Sequence, residues 1–389
     1  MTRTPIVQFG TSRFLQAHVD LFVSDAMREG QDTGPITVVQ TSGSADRAGR
    51  LAAFDGRPIP ILIRGLEDGR PVERREETTA IVRGLSAKAD WPEIERIVVE
   101  EARYLVSNTG DGGWRMADGE TIGEGVPASF PAKLTRLLHA RWRRNGAPLT
   151  LFPCELVPDN GAVLRDLCTG IAERSALPAT FVAWLRDDCV WVNSLVDRIV
   201  SGALEPAGAI AEPYALWAIE KQPRLVVPCT HAAIRVVDDL KPFERLKLFV
   251  LNLGHTALAE RWLAEHRRAG ETVREILADA EMNAWLASIY DDEVLPVLLA
   301  AGIAEAPAYR RTVLERFRNP FLDHRLADIA DNHAAKKARR FGGIGKLAGE
   351  VAPAMTLPRL AAMETSGGRR AKPYCSSGLT MPLVRIRLP

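Results

Sequence analysis

Residues 6–9, Ile-Val-Gln-Phe, form a short run that stops at Gly10, and the next apolar residues fall at Leu15, Val19, Phe22, Val23 and Ala26. The run suits a buried strand. The later spacing suits one face of a helix, with Gln16, Asp20 and Ser24 away from that face. A β-branched run at 36–39 follows the loop 30–35, and further strand candidates stand at 97–99, 104–107, 149–152 and 190–192. Strands that alternate with helices predict βαβ units and a mainly parallel sheet. Such sheets bind ligands beyond the carboxyl ends of their strands, which directs attention to residues 10–14, 40–43, 108–113, 154–155 and 193.

From about residue 202 the texture changes. Helical patterns cover 214–221, 242–263, 273–288, 293–301, 309–317 and 324–339, with Gly208, Pro223, Gly254, Gly270 and Pro320 as turn signals. A chain of 389 residues is long enough for two domains. The expectation is an α/β domain over 1–203 and a mostly α-helical one over 204–389. Lysine and arginine number 50 against 49 acids, so no global field favours nucleic acid or an anionic membrane. No run approaches the roughly 18 apolar residues of a membrane span, and residues 1–10 carry no signal-peptide pattern. Five scattered cysteines, Cys154, Cys168, Cys189, Cys229 and Cys375, read as reduced thiols. A cytoplasmic monomer or homodimer with a small-molecule ligand is expected.

The turn Gly10-Thr11-Ser12-Arg13-Phe14 stands where a dinucleotide-binding fold places its glycine-rich loop. Counted as GxGxxG, it has Ser12 at the second glycine and Leu15 at the third; an ordinary tight turn fits equally well. Gln40 closes the second strand, and Arg47 and Arg50 follow, with Asp46 the only acid nearby. An arginine there suits the extra phosphate of NADP and a carboxylate the ribose of NAD, while a solvated helix face also explains the pair. In Lys247-Leu-Phe-Val-Leu-Asn252-Leu-Gly-His255, α-helical spacing aligns 247, 251 and 255 and sets Asn252 beside them. A solvated polar stripe has the same spacing, but the apolar neighbours suggest burial, where polar groups must be paired or used. Asn193 closes a strand candidate, where it could meet a ligand or open an Asx turn. Basic residues exceed acidic ones from Arg310 to Lys346, including Arg325, Lys336 and Lys337, which suits either a pocket for an anion or an exposed face. No zinc-ligand spacing or GxSxG elbow occurs, so no metal centre is expected. Phe341-Gly-Gly-Ile-Gly-Lys346 departs from a P-loop at both ends and reads as a flexible turn.

Together these features resemble the mannitol dehydrogenase family, the polyol-specific long-chain dehydrogenases. The resemblance rests on Lys247-x4-Asn252-x2-His255, Asn193-Ser-Leu-Val-Asp-Arg-Ile199, Glu212-Pro-Tyr-Ala-Leu-Trp217, and Cys154-Glu155 with Asn160-Gly161, in that family's order. Phe317-Arg-Asn-Pro-Phe-Leu-Asp-His324 is most similar to the tagaturonate (altronate) reductases of that family. Ser12 and Gln16 depart from the family's usual glycine and arginine. The resemblance implies a Rossmann-like domain and a metal-independent hydride transfer between NAD, or NADP, and a secondary alcohol or ketone on a sugar acid or polyol. It implies Gly10, Thr11, Ser12, Phe14, Gln40, Asn108 and Thr109 at the coenzyme. Lys247 becomes the general acid/base, Asn193 and Asn252 donors to the substrate oxygen, and His255 a positioning group. Arg325, Lys336, Lys337 and Asn160 become substrate contacts. Free lysine has a pKa near 10.4, so this role requires lowering it towards roughly 7–8. A sugar-phosphate dehydrogenase and a noncatalytic nucleotide sensor are the alternatives, the second disfavoured because a pure binder needs no general base.

Overall fold

The computed structural model describes residues 3–43, 48–110, 112–144 and 146–366. Asp46, Arg47, Cys375 and the tail 373–389 lie outside the described residues. Eight strands come first: β1 (Ile6–Phe9), β2 (Ile36–Gln40), β3 (Ile59–Glu67), β4 (Arg70–Thr78), β5 (Ile81–Ser86), β6 (Tyr104–Ser107), β7 (Thr150–Pro153) and β8 (Val190–Trp191). Six of them form one sheet in the order β5-β2-β1-β6-β7-β8, with every pairing parallel. Counting only its own members, that order is 3-2-1-4-5-6, the Rossmann arrangement, and it reverses between β1 and β6. Phe9 therefore pairs with Val39 on one side and Ser107 on the other, which brings the loops after β1, β2 and β6 to one edge.

Five further strands follow: β9 (Ser194–Asp197), β10 (Val200–Ala203), β11 (Ala209–Ala211), β12 (Leu216–Glu220) and β13 (Ile234–Val237). They build a four-stranded sheet, β10-β11-β3-β4, and a three-stranded one, β13-β12-β9. The chain divides into two compact units. One runs from the first described residue to Ile63 and over Arg74–Leu240, and the other comprises Arg64–Glu73 and the described chain from Lys241. The division thus falls near 240 rather than 203, because 204–240 is not helical. Leu216–Glu220 pairs antiparallel with β9 and parallel with β13. Ile97–Val99, expected as strand, is the last turn of the helix Trp91–Glu100, where Ile94, Ile97 and Val98 bury one face.

The first helical stretch also departs from expectation. Arg13–Gln16 and Val19–Arg28 are separate helices, broken at Ala17 and His18. Leu15, Val19, Phe22, Val23 and Ala26 are buried, and so are Gln16, Asp20 and Ser24. The opposite side is covered too: Ala17 and Leu21 pack with Ile61, Ile63, Ala209 and Ala211 of the four-stranded sheet. Polar residues survive there because most are paired. Gln16 Oε1 accepts from Gly208 N at 2.7 Å, and Ser24 Oγ accepts from Thr79 N and Ala80 N at 2.9 and 3.0 Å.

Asp20 is the exception. Its Oδ2 accepts from Gln8 Nε2 at 3.2 Å, while Asp20 Oδ1 and Gln8 Oε1 have no hydrogen-bond partner among the described residues. Burial pushes the carboxyl up to about 7, with the Gln8 hydrogen bond pulling the other way. The folded protein holds this proton between the ordinary aspartate value and about 7, and the unfolded chain does not. Stability is therefore lost as pH rises through that window, by up to about 4 kcal/mol. Asp20→Asn should raise the urea-unfolding midpoint relative to the parent at pH 8, with the gap closing towards pH 4. A gap independent of pH would exclude Asp20 as the source.

Candidate functional site

In the first unit, a cavity of about 260 Å³ opens at the β1/β6 reversal, lined by Gly10, Thr11, Ser12, Gln40, Asn108 and Thr109, with Arg13, Thr41, Arg50 and Gly110. Gly10 is required by its backbone. Its φ is +114°, and a Cβ there would lie 2.3 Å from Asn108 O. Gly10 N donates to Val39 O and Asn108 N to Phe9 O, both at 2.9 Å, so the first turn is tied to both neighbouring strands. Ser12 Oγ caps the helix Arg13–Gln16 by accepting from Leu15 N at 3.2 Å. Arg13 reaches away, to Leu204 O at 2.6 Å and Glu205 Oε1 at 2.7 Å. Phe14 does not line the cavity: its ring stacks on His18 with centroids 4.7 Å apart. Arg50 Nη1 donates to Thr11 O at 2.9 Å, so the arginine is part of the cavity rather than a solvated face.

The third loop is held by a group whose role the sequence did not reveal. Glu155, 6% exposed, accepts from Ser107 Oγ at 2.9 Å, Thr109 N at 3.0 Å and Thr109 Oγ1 at 3.2 Å. Burial raises its pKa and these hydrogen bonds lower it, the net direction being upward. Its place after a strand was the available signal. Asn108 Nδ2 donates to Cys154 O at 2.8 Å, locking the same corner.

The remaining sequence candidates in this unit are bound into the fold. Asn160, 1% exposed, donates to Pro153 O, Glu155 O and Ser194 O within 3.1 Å and accepts from Gly161 N and Ser194 N. Its side chain staples β7 to the start of β9, which gives it a structural post in place of a substrate contact. Asn193 precedes a strand rather than a helix. Its Oδ1 accepts from Ala162 N at 3.1 Å and its Nδ2 donates to Glu220 Oε2 at 2.8 Å, leaving one amide hydrogen uncommitted by these bonds. In the same motif, buried Arg198 donates to Ala17 O at 2.7 Å and Glu212 O at 3.0 Å, securing the break between the first two helices.

In the second unit, the helix from Lys241 to Ala264 contains a π turn at Lys247–Asn252. On an α-helix, residues five apart are about 140° apart. A π turn bonds i to i+5, so Lys247 and Asn252 come round to neighbouring positions. The α-helical alignment of 247 with 251 is thereby corrected: Leu251 is buried in the core, while Lys247 and Asn252 are part-exposed. Gly254 is not a turn but a gap in this helix, where a Cβ would sit 1.9 Å from Tyr290 Oη.

His255 is 8% exposed, its ring 4.3 Å from Phe317 and 4.8 Å from His324 between centroids. Burial, then His324, Arg316, Arg340 and Lys336, holds its pKa well below the usual imidazole range, so the ring is neutral at physiological pH. Of the basic segment, Arg316, Arg340 and Lys336 bear electrostatically on His255. Lys336 Nζ donates to Ile329 O at 2.8 Å, and burial and Arg340 lower its pKa. Arg325 is exposed at the start of the short helix Leu326–Ile329. Lys337 commits its amine to Glu260 Oε2 (3.2 Å), Ser366 O (2.7 Å) and Ser366 Oγ (2.8 Å), a structural clamp. The expected flexible turn at 341–346 is helical, spanning the π turn Ala338–Gly342 and the helix Gly343–Val351. Among the described residues, no three His, Cys, Asp or Glu side chains group as metal ligands, and no helix is long and apolar enough to cross a membrane.

Two domain descriptions match: the mannitol dehydrogenase Rossmann domain over 61–227 and the mannitol dehydrogenase C-terminal domain over 239–364. The altronate oxidoreductase of Klebsiella pneumoniae subsp. pneumoniae is 33% identical over 379 residues, 91% of this chain and 77% of that protein. The altronate oxidoreductase of Halalkalibacterium halodurans is 30% identical over 353 residues, 85% of this chain and 68% of that protein. The chain belongs to the mannitol dehydrogenase family. Among solved structures, D-sorbitol dehydrogenase in substrate-free form aligns with a TM-score of 0.80 at 21% identity, over 93% of this chain and 80% of that one. Pseudomonas fluorescens mannitol 2-dehydrogenase, in ternary complex with NAD and D-mannitol, aligns at 0.72 and 20%, over 93% and 78%. These likenesses agree with the Rossmann order of the sheet.

The fixed point of the first unit's cavity is Gly10. Gly10→Ala must either leave positive φ or push Asn108 away, and both distort the cavity. The variant should lose at least tenfold in affinity for NAD by fluorescence titration while keeping its far-ultraviolet circular dichroism. Unchanged affinity would mean the turn plays no part in binding.

Proposed function

We propose that the protein is an NAD(P)-dependent oxidoreductase interconverting a secondary alcohol and a ketone on a sugar acid of the altronate type. The observation that carries this reading is the π turn that gives Lys247 and Asn252 one face, in a family whose 30–33% identical members are named altronate oxidoreductases. Residues of the first unit fit a dinucleotide. The close approach at Gly10 admits backbone to a pyrophosphate, and the buried Thr11 hydroxyl beside the cavity has no hydrogen-bond partner among the described residues. Gly10, Thr11, Ser12, Asn108 and Thr109 would hold the phosphates and nicotinamide half, with Gln40 and Arg50 at the adenosine ribose. When bound, NAD supplies the two-electron acceptor for the alcohol carbon.

The chain's own residues do the proton work. Lys247, as a neutral amine, takes the hydroxyl proton in the oxidative direction and returns it in reduction. Asn252 donates its amide N–H to the oxygen as alkoxide character develops, and in the first unit Asn193 keeps one amide hydrogen uncommitted for a donor role. Losing one such donor typically costs roughly 3–4 kcal/mol of barrier. Neutral His255 can orient a substrate hydroxyl without adding charge. Lys336 and Arg316, which bear on His255, supply the positive potential that suits a carboxylate, and exposed Arg325 is a weaker contributor.

Absorbance at the reduced-nicotinamide band should report turnover with an aldonate in preference to a neutral polyol or a sugar phosphate. Turnover with neutral polyols alone would leave the basic residues a structural role, and turnover with sugar phosphates alone would replace the carboxylate by a phosphate. Lys247→Ala should lower kcat by about 10²–10⁴-fold while NAD still binds. Near-normal turnover would remove lysine from the mechanism. Because the proposed proton transfer needs no metal, dialysis against EDTA should leave the rate unchanged; loss restored by zinc would overturn that part.

A further inference from the structure

A π turn is costly to hold, because its widened backbone competes with the tighter α-helix that the same residues can form. Three such turns occur in the second unit among the described residues: Lys247–Asn252, Tyr290–Val294 and Ala338–Gly342. Each of the latter two sends one side chain to the first. Tyr290, fully buried, donates its hydroxyl to Val250 O at 2.8 Å. Arg340 donates through Nη1 to Asn252 O at 3.1 Å and to Thr256 Oγ1, whose hydroxyl also bonds Asn252 O at 3.1 Å. The packing is shaped for these contacts. Gly254 leaves room for the Tyr290 hydroxyl, and a Cβ on Gly343 would lie 3.1 Å from the Phe249 ring.

We propose that Tyr290 and Arg340 are positioning residues for Lys247 and Asn252. By bonding the carbonyls of Val250 and Asn252 they keep the 247–252 turn wide and hold the amine and the amide on one face. Neither residue touches the reacting atoms in this scheme. The inference rests on Lys247 and Asn252 being catalytic, as proposed above. If the turn relaxed to α-helical spacing, Asn252 would swing away from Lys247 and carry its amide out of reach of the oxygen it is meant to stabilise.

The test compares Tyr290→Phe, Arg340→Met and Arg340→Lys with the parent enzyme. Tyr290→Phe removes one oxygen from a filled pocket, so the fold should persist. It should lower kcat by about 10- to 100-fold, since small misplacements of reacting groups cost rates of that order. The NAD dissociation constant should stay within about twofold, and the limb of the pH–rate profile that reports Lys247 should shift. Arg340→Met should act in the same direction, and Arg340→Lys, whose amine can still reach a carbonyl, should recover part of the loss. The proposal is overturned if the folded variants keep kcat within about twofold with an unmoved pH limb. It is equally overturned if kcat falls but the pH limb stays put and lysine recovers nothing, the pattern of plain destabilisation. Lys247→Ala separates the two ideas: an active Lys247→Ala variant refutes the catalytic reading, whereas a dead one beside a normal Tyr290→Phe refutes only the positioning.

Discussion

The carbonyls of the widened turn Lys247–Asn252 take hydrogen bonds from side chains as well as from the helix itself. Tyr290 and Arg340 reach Val250 O and Asn252 O from two other π turns. The second turn is itself anchored, since buried Glu293 accepts from Arg359 N and Leu360 N, both at 3.0 Å. Bonds of this kind are worth roughly 1 kcal/mol each in net stability but considerably more if one partner is left buried and unpaired. Two of the irregular turns thus each send a side chain to the carbonyls of the third. What the arrangement delivers is local: a lysine and an asparagine five residues apart that share a face.

The first unit solves a different problem, bringing three loop ends within reach of one ligand. The parallel order does most of this, because reversal between β1 and β6 puts their carboxyl ends side by side. Gly10 allows the two ends to touch, and Glu155 pins the second by taking three hydrogen bonds from Ser107 and Thr109. A carboxylate buried to this degree would be costly without them. With them, it ties the loop after β6 to the strand end that precedes it. The same economy explains Asn160, whose five backbone contacts make it a staple rather than a ligand contact.

Much of this was legible in the chain. The strands at 6–9, 36–39, 104–107, 149–152 and 190–192 announce themselves because each is buried on both faces and so reads as an apolar run. The loops that follow β1, β2 and β6 were legible for the same reason. Strand β4, Arg-Pro-Val-Glu-Arg-Arg-Glu-Glu-Thr, was missed because it is mostly exposed and carries almost no apolar signal, whereas β3, with Ile59, Ile61 and Ile63 buried at alternate positions, carries a strand pattern that was legible. Leu216–Glu220 read as helix because a fully buried strand and a buried helix segment share one pattern at that length. The burial of Gln16, Asp20 and Ser24 was illegible in principle: local periodicity cannot announce a second sheet contributed by residues 59–63 and 209–211. In the second unit the Lys-x4-Asn-x2-His spacing read as an α-helical alignment, and the structure replaces it with a π turn over Lys247–Asn252. Five-residue spacing suits a π turn, and nothing in an apolar helix says which turn will widen.

The charge pattern adds a final constraint. His255, His324, His333 and His139 all have pKa values lowered by burial, so the unfolded chain binds protons that the fold refuses, and stability falls as pH drops below about 6.5. Asp20 and Glu155 are raised, so their contribution has the opposite sign, with stability falling as pH climbs from the ordinary carboxylate range. The two sets act over overlapping windows and partly cancel, which flattens the dependence of stability on pH where each alone would tilt it. Around His255 this has a chemical meaning. Arg316, Arg340 and Lys336 all act with burial to keep the imidazole uncharged, so the ring adds no further positive charge beside them.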